Sequence, residues 1–477
     1  MTAAALAGFG ALQGLKVLDL TQMLAGPYAT MLLADQGADV IKIEPPGGDK
    51  TRHNGPYLPG ALPFKEGGFG AYFGSVNRNK RSIVIDLKSE AGKQQLIRMV
   101  QQADVLVENF RTGVMEGLGL SYESLATHNP RLVYAALRGF GDPRSGETPY
   151  THWPAYDPVA QAMGGIMGIT GPVVGGAPTK IGPGVGDLLP AMYLSFAITA
   201  ACWNVQKTGL GQFVDVAMVD SVLALCERIV YQYSGAGVNS HPDGNGHPIL
   251  CPFGIFPAKD GHVSLGVPND RFWEPFVRIM GREDLVSDPR CASNEQRSRN
   301  RDFVEPLVAA WTAQHTKAEL TLKLGGLIPF GPVLRAQDIF EDPHFRRRGM
   351  LVPTEQPGAR QPLTLAGTPI HMSRTPGGVH QRAPIVNEHA QAILRPHLHE
   401  EVERLGGQRR LLTRRWRQAG GHDAGAQGLR HLLHVVIEDA IGLGACLAVH
   451  HRRLQTRRQH DGQQEQADEA GAQRMRG

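Results

Sequence analysis

Residues 15–44 constrain the fold more than any other stretch. Leu15-Lys-Val-Leu-Asp-Leu-Thr21 alternates and is rich in strand formers, so it reads as a strand. Ala25-Gly-Pro27 breaks it, and Pro27 suits a helix start. The pattern predicts a helix over 28–36, closed by Gly37 as a C-cap glycine, and then a strand over 39–44. A strand, a short helix and a second strand in such close succession make a β-α-β unit of the doubly wound kind. The expected fold class is therefore α/β, with a Rossmann-like large domain. No G-x-G-x-x-G joins that strand to that helix, which argues against a nicotinamide or flavin cofactor.

The pattern continues with expected strands over 83–88, 104–110, 131–137 and 212–218, and helices over 90–102 and 220–233. Residues 236–248 are a linker by composition, and the sequence around His241 and His247 shows no acidic or Cys ligands at metal spacing, so both read as loop residues. A smaller α/β domain is expected over 249–345, and 346–400 reads as a return segment to the large domain of 1–235. From Glu401 the character changes. The tail to 477 holds 13 Arg, no Lys and 9 acidic residues, and is too polar to bury a core. It is expected to lie outside the functional fold.

Two places carry chemistry. The first is Ile181-Gly-Pro-Gly-Val-Gly-Asp187, followed by an apolar run over 188–205. Asp187 falls where a helix should begin. A plain N-cap is one reading; an accessible, ionised nucleophile at the mouth of a Gly-rich turn is the other. The second is Asn109-Phe-Arg111 at the carboxyl end of a strand, where ligands bind in open α/β sheets. An amide, an aromatic face and a guanidinium suit an adenine nucleotide with phosphates, or make an ordinary polar loop.

These motifs resemble the class III CoA-transferases, the CaiB/BaiF family, over about residues 12–400. The likeness is carried by residues 18–49, by Gly-Val-Gly-Asp187, by Thr208-Gly-Leu-Gly-Gln212, by residues 331–343 and by Ala383-Pro-Ile-Val-Asn-Glu-His389. It implies Asp187 as nucleophile, with Asp157 and Tyr156 beside it. It also implies CoA contacts at Leu24, Ala25, Ile85, Asp86, Leu87, Lys88, Asn109, Phe110 and Arg111. The implied activity is transfer of CoA from an acyl-CoA to a carboxylic acid, with the thioester as substrate and no permanently bound cofactor or metal. An interlocked homodimer is implied as well. The formyl-CoA transferase branch carries Gln at the position of Leu24, so an oxalate or formate specificity is not expected. Gly117 stands where relatives have Arg. The related α-methylacyl-CoA racemases, the alternative activity on this fold, have His at the position of Tyr156. Its replacement by Tyr favours transfer, because epimerising an α-carbon normally needs two proton-handling groups.

Composition bounds the rest. Five widely spaced cysteines argue for a reducing, cytoplasmic setting without a disulfide frame. The basic excess lies in the tail, so no basic stripe marks the body for nucleic acid. The start of the chain lacks the basic region of a signal peptide. Residues 188–205 just reach membrane-spanning length, but hold Pro190, Ser195, Thr199 and Asn204. They are expected to form a core helix buried on all faces rather than a membrane span.

Overall fold

The computed structural model describes residues 9–242, 244–247 and 249–395. The expected tail therefore lies outside the described residues. The chain opens with β1 (Lys16–Asp19), α1 (Ala25–Asp35) and β2 (Asp39–Glu44). There follow α2 (Ala71–Val76), β3 (Lys80–Val84), α3 (Glu90–Val100), β4 (Val105–Glu108), α4 (Val114–Gly117), α5 (Tyr122–His128) and β5 (Val133–Arg138). Next come α6 (Asp157–Met163), α7 (Ile166–Ile169), α8 (Val185–Thr208), β6 (Phe213–Ala217), α9 (Met218–Leu225) and α10 (Glu227–Ala236). The six strands form one parallel sheet in the order β3-β2-β1-β4-β5-β6. This is the doubly wound order, and it reverses between β1 and β4.

Alternation along each strand sends neighbouring side chains to opposite faces. Val17, Val40, Val105, Val107, Val133 and Ala135 pack with α1, α6, α8 and α9 on one face. Leu18, Leu20, Ile43, Ile83, Leu106 and Tyr134 pack with α3 and α5 on the other. The central strands β1, β4 and β5 are thus covered on both faces, as expected of a parallel sheet, while β6 at one edge is half-buried.

A separate antiparallel sheet of β7 (Phe253–Ala258), β8 (Gly261–Gly266) and β9 (Phe330–Pro332) is accompanied by four helices. These are α11 (Asp270–Ile279), α12 (Asn294–Arg299), α13 (Arg301–Thr312) and α14 (Lys317–Leu324). Three of them share a core with the sheet, while α12 attaches through the buried Arg297, which donates to Cys251 O and Cys291 O. A hairpin, β10 (Leu351–Thr354) with β11 (Leu363–Ala366), then leads back to the edge of the large sheet. There Asn387 Oδ1 accepts from Val84 N–H, and His389 N–H donates to Ser82 O.

Several expectations need correcting. Helix α1 begins at Ala25, so Pro27 sits inside its first turn. Strand β3 lies over 80–84 rather than 83–88, because Lys80 and Ser82 are buried with ionic and hydrogen-bonding partners that an apolar pattern cannot register. The helix expected over 220–233 is two helices, since Cys226 leaves helical geometry. Helix α8 is long and apolar enough to cross a membrane, yet it is not buried all round. Ala191, Leu194, Ile198 and Ala201 pack on the sheet, while Phe196 is 73% and Trp203 61% exposed.

Candidate active site

The switch between β1 and β4 lies where the loops following those strands meet. Asn109, just past β4, accepts from Gln22 N–H at 2.8 Å and donates to Gln22 O at 2.7 Å. Two residues on, Leu24 approaches the turn that precedes α8. A Cβ placed on Gly184 would lie 3.5 Å from Leu24 Cδ2 and 3.7 Å from Asp157 Oδ1. The start of the 24-residue helix α8 is thereby brought to the carboxyl end of the sheet.

Asp187 is not the N-cap. Gly184 takes that position without a capping side chain, and Asp187 stands in the first turn of the helix. The cap comes from another helix. Asp157, the first residue of α6, accepts from Gly186 N–H through Oδ1 at 2.9 Å. Gln161 Nε2 donates to the same oxygen at 2.9 Å, while Gln161 Oε1 accepts from Ile181 N–H at 3.1 Å. Lys180 Nζ stands 3.5 Å from Asp157 Oδ2. The fully buried Gln161 therefore holds the start of the glycine-rich turn directly and its end through Asp157. Gly186 is required by packing: a Cβ there would lie 2.6 Å from Asp157 O and 2.9 Å from Ala160 Cβ. At Gly182, by contrast, nothing lies within 4 Å.

Asp187 is half-buried, not freely exposed. Burial first, and the like charge of Asp157 second, push its carboxyl up to about 6. The helix N-terminus favours the anion and opposes this rise. The result is a desolvated carboxylate, ionised above about pH 6, with few hydrogen bonds to restrain it. Such a group is a competent nucleophile toward an activated carbonyl. Tyr72, on α2, has its phenol raised by burial and then by the charges of Asp187 and Asp49, which brings it into the electrostatic surroundings of Asp187. Among the described residues no group of three or more His, Cys, Asp and Glu side chains is arranged to hold a metal ion.

Residues 12–390 match CoA-transferase family III. The chain belongs to that family. A succinyl-CoA:mesaconate CoA-transferase from Haloarcula hispanica is 48% identical over 388 residues, covering 81% of this chain and 96% of the relative. A succinate–glutarate CoA-transferase from Agrobacterium fabrum is 37% identical, covering 80% and 94%. The crystal structure of a CaiB/BaiF family protein from Brucella suis matches with a TM-score of 0.72 at 35% identity, covering 81% and 99%. This family III chain is thus a CoA-transferase, a family whose substrates are CoA thioesters.

The fold gathers only part of the expected site of the family III enzyme. Leu24, Asp157 and the turn before Asp187 come together, and Tyr156, at the N-cap position of α6 without a capping side-chain bond, is 61% exposed. Arg111 is exposed just past β4. Asn109 ties its amide to Gln22 through one donated and one accepted hydrogen bond, so its side chain braces the loop after β1. Phe110 packs partly into the core, and its N–H donates to Glu108. Ile85 and Ala25 are buried in the two cores. Asp86, Leu87 and Lys88 lie on the turn before α3, where Asp86 accepts from Lys88 N–H. Gly186 N–H already donates to Asp157, so that turn amide is not free to stabilise an oxyanion. Gln161 and Tyr72 were not singled out from sequence. Gln161, one helical turn beyond Asp157, had a spacing signal; Tyr72 had none.

Proposed function

We propose that this enzyme transfers CoA between dicarboxylic acids through covalent intermediates on Asp187. The observation that carries the reading is Asp187 itself, a desolvated carboxylate in the first turn of α8, its turn braced by Asp157 and Gln161. An Asp187 oxygen attacks the thioester carbonyl and expels CoA thiolate, leaving an acyl–aspartyl anhydride. The thiolate attacks the Asp187 carbonyl, releasing the donor acid and leaving an aspartyl-CoA thioester. The acceptor carboxylate then attacks that carbonyl and expels the thiolate again. The thiolate finally takes the acyl group from the new anhydride and frees Asp187. Bonds and charges balance over the cycle without a metal or an external base.

The dicarboxylate class is supported by the relatives, whose names give succinyl-CoA with mesaconate and succinate with glutarate. The test is succinyl-CoA supplied with four- and five-carbon dicarboxylates and with monocarboxylates of equal length, products read by mass spectrometry. Preferred transfer to the diacids is expected; equal transfer to the monoacids would overturn the assignment. We further propose a cytoplasmic homodimer. It is supported by the free thiols at Cys202, Cys226, Cys251 and Cys291, and by the exposed apolar side of α8 and α10 with Phe196, Trp203, Tyr231 and Tyr233.

A pH profile probes Asp157. Asp157→Asn keeps an oxygen for Gly186 N–H but removes the like charge beside Asp187. The nucleophile must be ionised, so kcat/KM rises with pH through its pKa, about 6 in the free enzyme. The acid limb of the Asn variant should move to lower pH. It should remain above the ordinary carboxylate range, because burial is the larger cause. An unmoved limb would show that Asp157 is not felt electrostatically.

A further inference from the structure

The covalent cycle leaves Lys180, a cation at the edge of the site, without a task. It stands on the segment that leads into the glycine-rich turn, and its backbone is fixed on both sides. Thr179 N–H donates to Thr170 O at 2.9 Å, and Ile181 N–H donates to Gln161 Oε1 at 3.1 Å. The Lys180 side chain is 43% exposed. Its Nζ donates to Ile181 O at 2.9 Å and to Gly182 O at 3.4 Å, and lies 3.5 Å from Asp157 Oδ2. The last two distances are longer than ordinary hydrogen bonds. Asp157 does not depend on this cation, because Gly186 N–H and Gln161 Nε2 already donate to its other oxygen. The ammonium is therefore free to exchange these partners for a closer carboxylate, which makes the stronger, charge-assisted bond.

A diacid brings a charge that fits this cation. When the acceptor attacks the aspartyl-CoA thioester, one of its carboxylates forms the new bond at the Asp187 carbonyl. The other stays ionised in a site hostile to negative charge. Burial and Asp157 are the influences that push the Asp187 carboxyl up, and no cation is among them. A second carboxylate there needs a cation to match it. Two contacts separate the Lys180 ammonium from the backbone of Asp187. Its Nζ stands beside Asp157 Oδ2, and Asp157 Oδ1 accepts from the N–H of Gly186, the residue before Asp187. That separation is on the scale of a short diacid chain. Gly182, with nothing within 4 Å of an added Cβ, leaves open space beside the ammonium.

We propose that Lys180 is a specificity-determining residue that receives the distal carboxylate of the acid and so selects diacids over acids with a neutral end. The inference rests on the CoA-transfer reading and names the side chain behind its dicarboxylate preference. Lysine suits the task. Its ammonium is a compact charge with rotatable donors on a flexible stem, which can follow diacids of different length.

The experiment gives wild type, Lys180→Met and Lys180→Arg in the full chain succinyl-CoA as donor, with succinate or succinamate as acceptor. Succinamate has the same length, with one carboxylate replaced by a neutral amide. The donor is common to every arm, so its own distal carboxylate cancels in the ratio of kcat/KM between the two acceptors. Where succinamate transfers too slowly to rate, its inhibition constant against succinate supplies the comparison. Wild type should favour succinate by about tenfold or more, and in Lys180→Met that ratio should fall by about tenfold. Lys180→Arg keeps the charge, and its ratio should stay well above that of the Met variant. Binding of free CoA is measured on the same samples by calorimetry. A Met variant that keeps the wild-type ratio, whether or not it is slower, assigns Lys180 to bracing the turn and overturns the proposal alone. A loss carried by CoA affinity with the ratio intact overturns it equally. Wild type with a ratio near one, or with no transfer to either acid, overturns the functional reading and this proposal with it.

Discussion

Asp187→Ala and Asp187→Asn should abolish CoA transfer, lowering kcat by roughly 10⁴-fold or more, with the fold intact. Removing a nucleophile removes the covalent route itself, so no conservative substitution restores it. Stability distinguishes lost chemistry from lost structure. The Asp187 carboxyl binds its proton more tightly in the folded chain than in the unfolded one, because burial and Asp157 push it up to about 6. Between the ordinary carboxylate range and that value the folded state holds more protons, so this group makes stability fall as pH rises. Above pH 6 the ionised carboxylate is a cost to folding, and Asp187→Asn should melt at or above the wild-type temperature. Near-normal turnover in either variant would contradict the assignment. A lower melting temperature for the Asn variant would show instead that Asp187 supports the fold.

Arg52→Met should cost the fold about 3–5 kcal/mol, the largest stability loss expected here. Arg52 is wholly buried, and its guanidinium donates to both oxygens of Glu44, at 2.8 and 2.6 Å. Its third arm donates to Pro384 O at 2.9 Å, which ties the return segment to the sheet, and its plane stacks 3.8 Å over Phe73. Methionine fills much of the space but leaves Glu44 charged and buried. Burial works to raise the Glu44 carboxyl; its bonds to Arg52, with help from Lys42 and Ser82, outweigh that and hold it below the usual range. That arrangement stabilises the protein above the ordinary carboxylate pKa and is lost as pH falls through the lowered value. The gap in denaturation midpoint between wild type and variant should therefore narrow toward acid pH. A loss under about 1 kcal/mol at neutral pH would mean that the pair is dispensable.

The extent to which sequence discloses this fold follows from what each signal depends on. Strands β1, β2, β4, β5 and β6 are legible in the sequence because short segments rich in β-branched and apolar residues supply side chains to both helical layers. Strand β3 was displaced because Lys80 and Ser82 look exposed in sequence and become acceptable inside only once Asp19 and Glu44 meet them. The hairpin of β10 and β11 went unread, since four-residue strands carry too few alternations to register. At the site, the Gly-rich turn and Asp187 are visible, as is the neighbouring Asp157. That Asp157 caps α8 is not, because a sequence discloses only local capping and this contact crosses between helices. Asn109 shows the same limit. Its chemistry suits a ligand, and nothing local discloses that its amide also braces a loop 87 residues earlier.

The central claim is that acyl transfer passes through Asp187 covalently, and trapping tests it most directly. The enzyme is mixed with succinyl-CoA, quenched with hydroxylamine during turnover, digested and mapped by mass spectrometry. Hydroxylamine attacks an aspartyl anhydride or thioester and leaves a hydroxamate on that side chain. The account predicts a hydroxamate at Asp187 that needs the acyl-CoA and is absent from Asp187→Asn. Turnover without any trapped carboxyl, or a hydroxamate at Asp157 in place of Asp187, would contradict it.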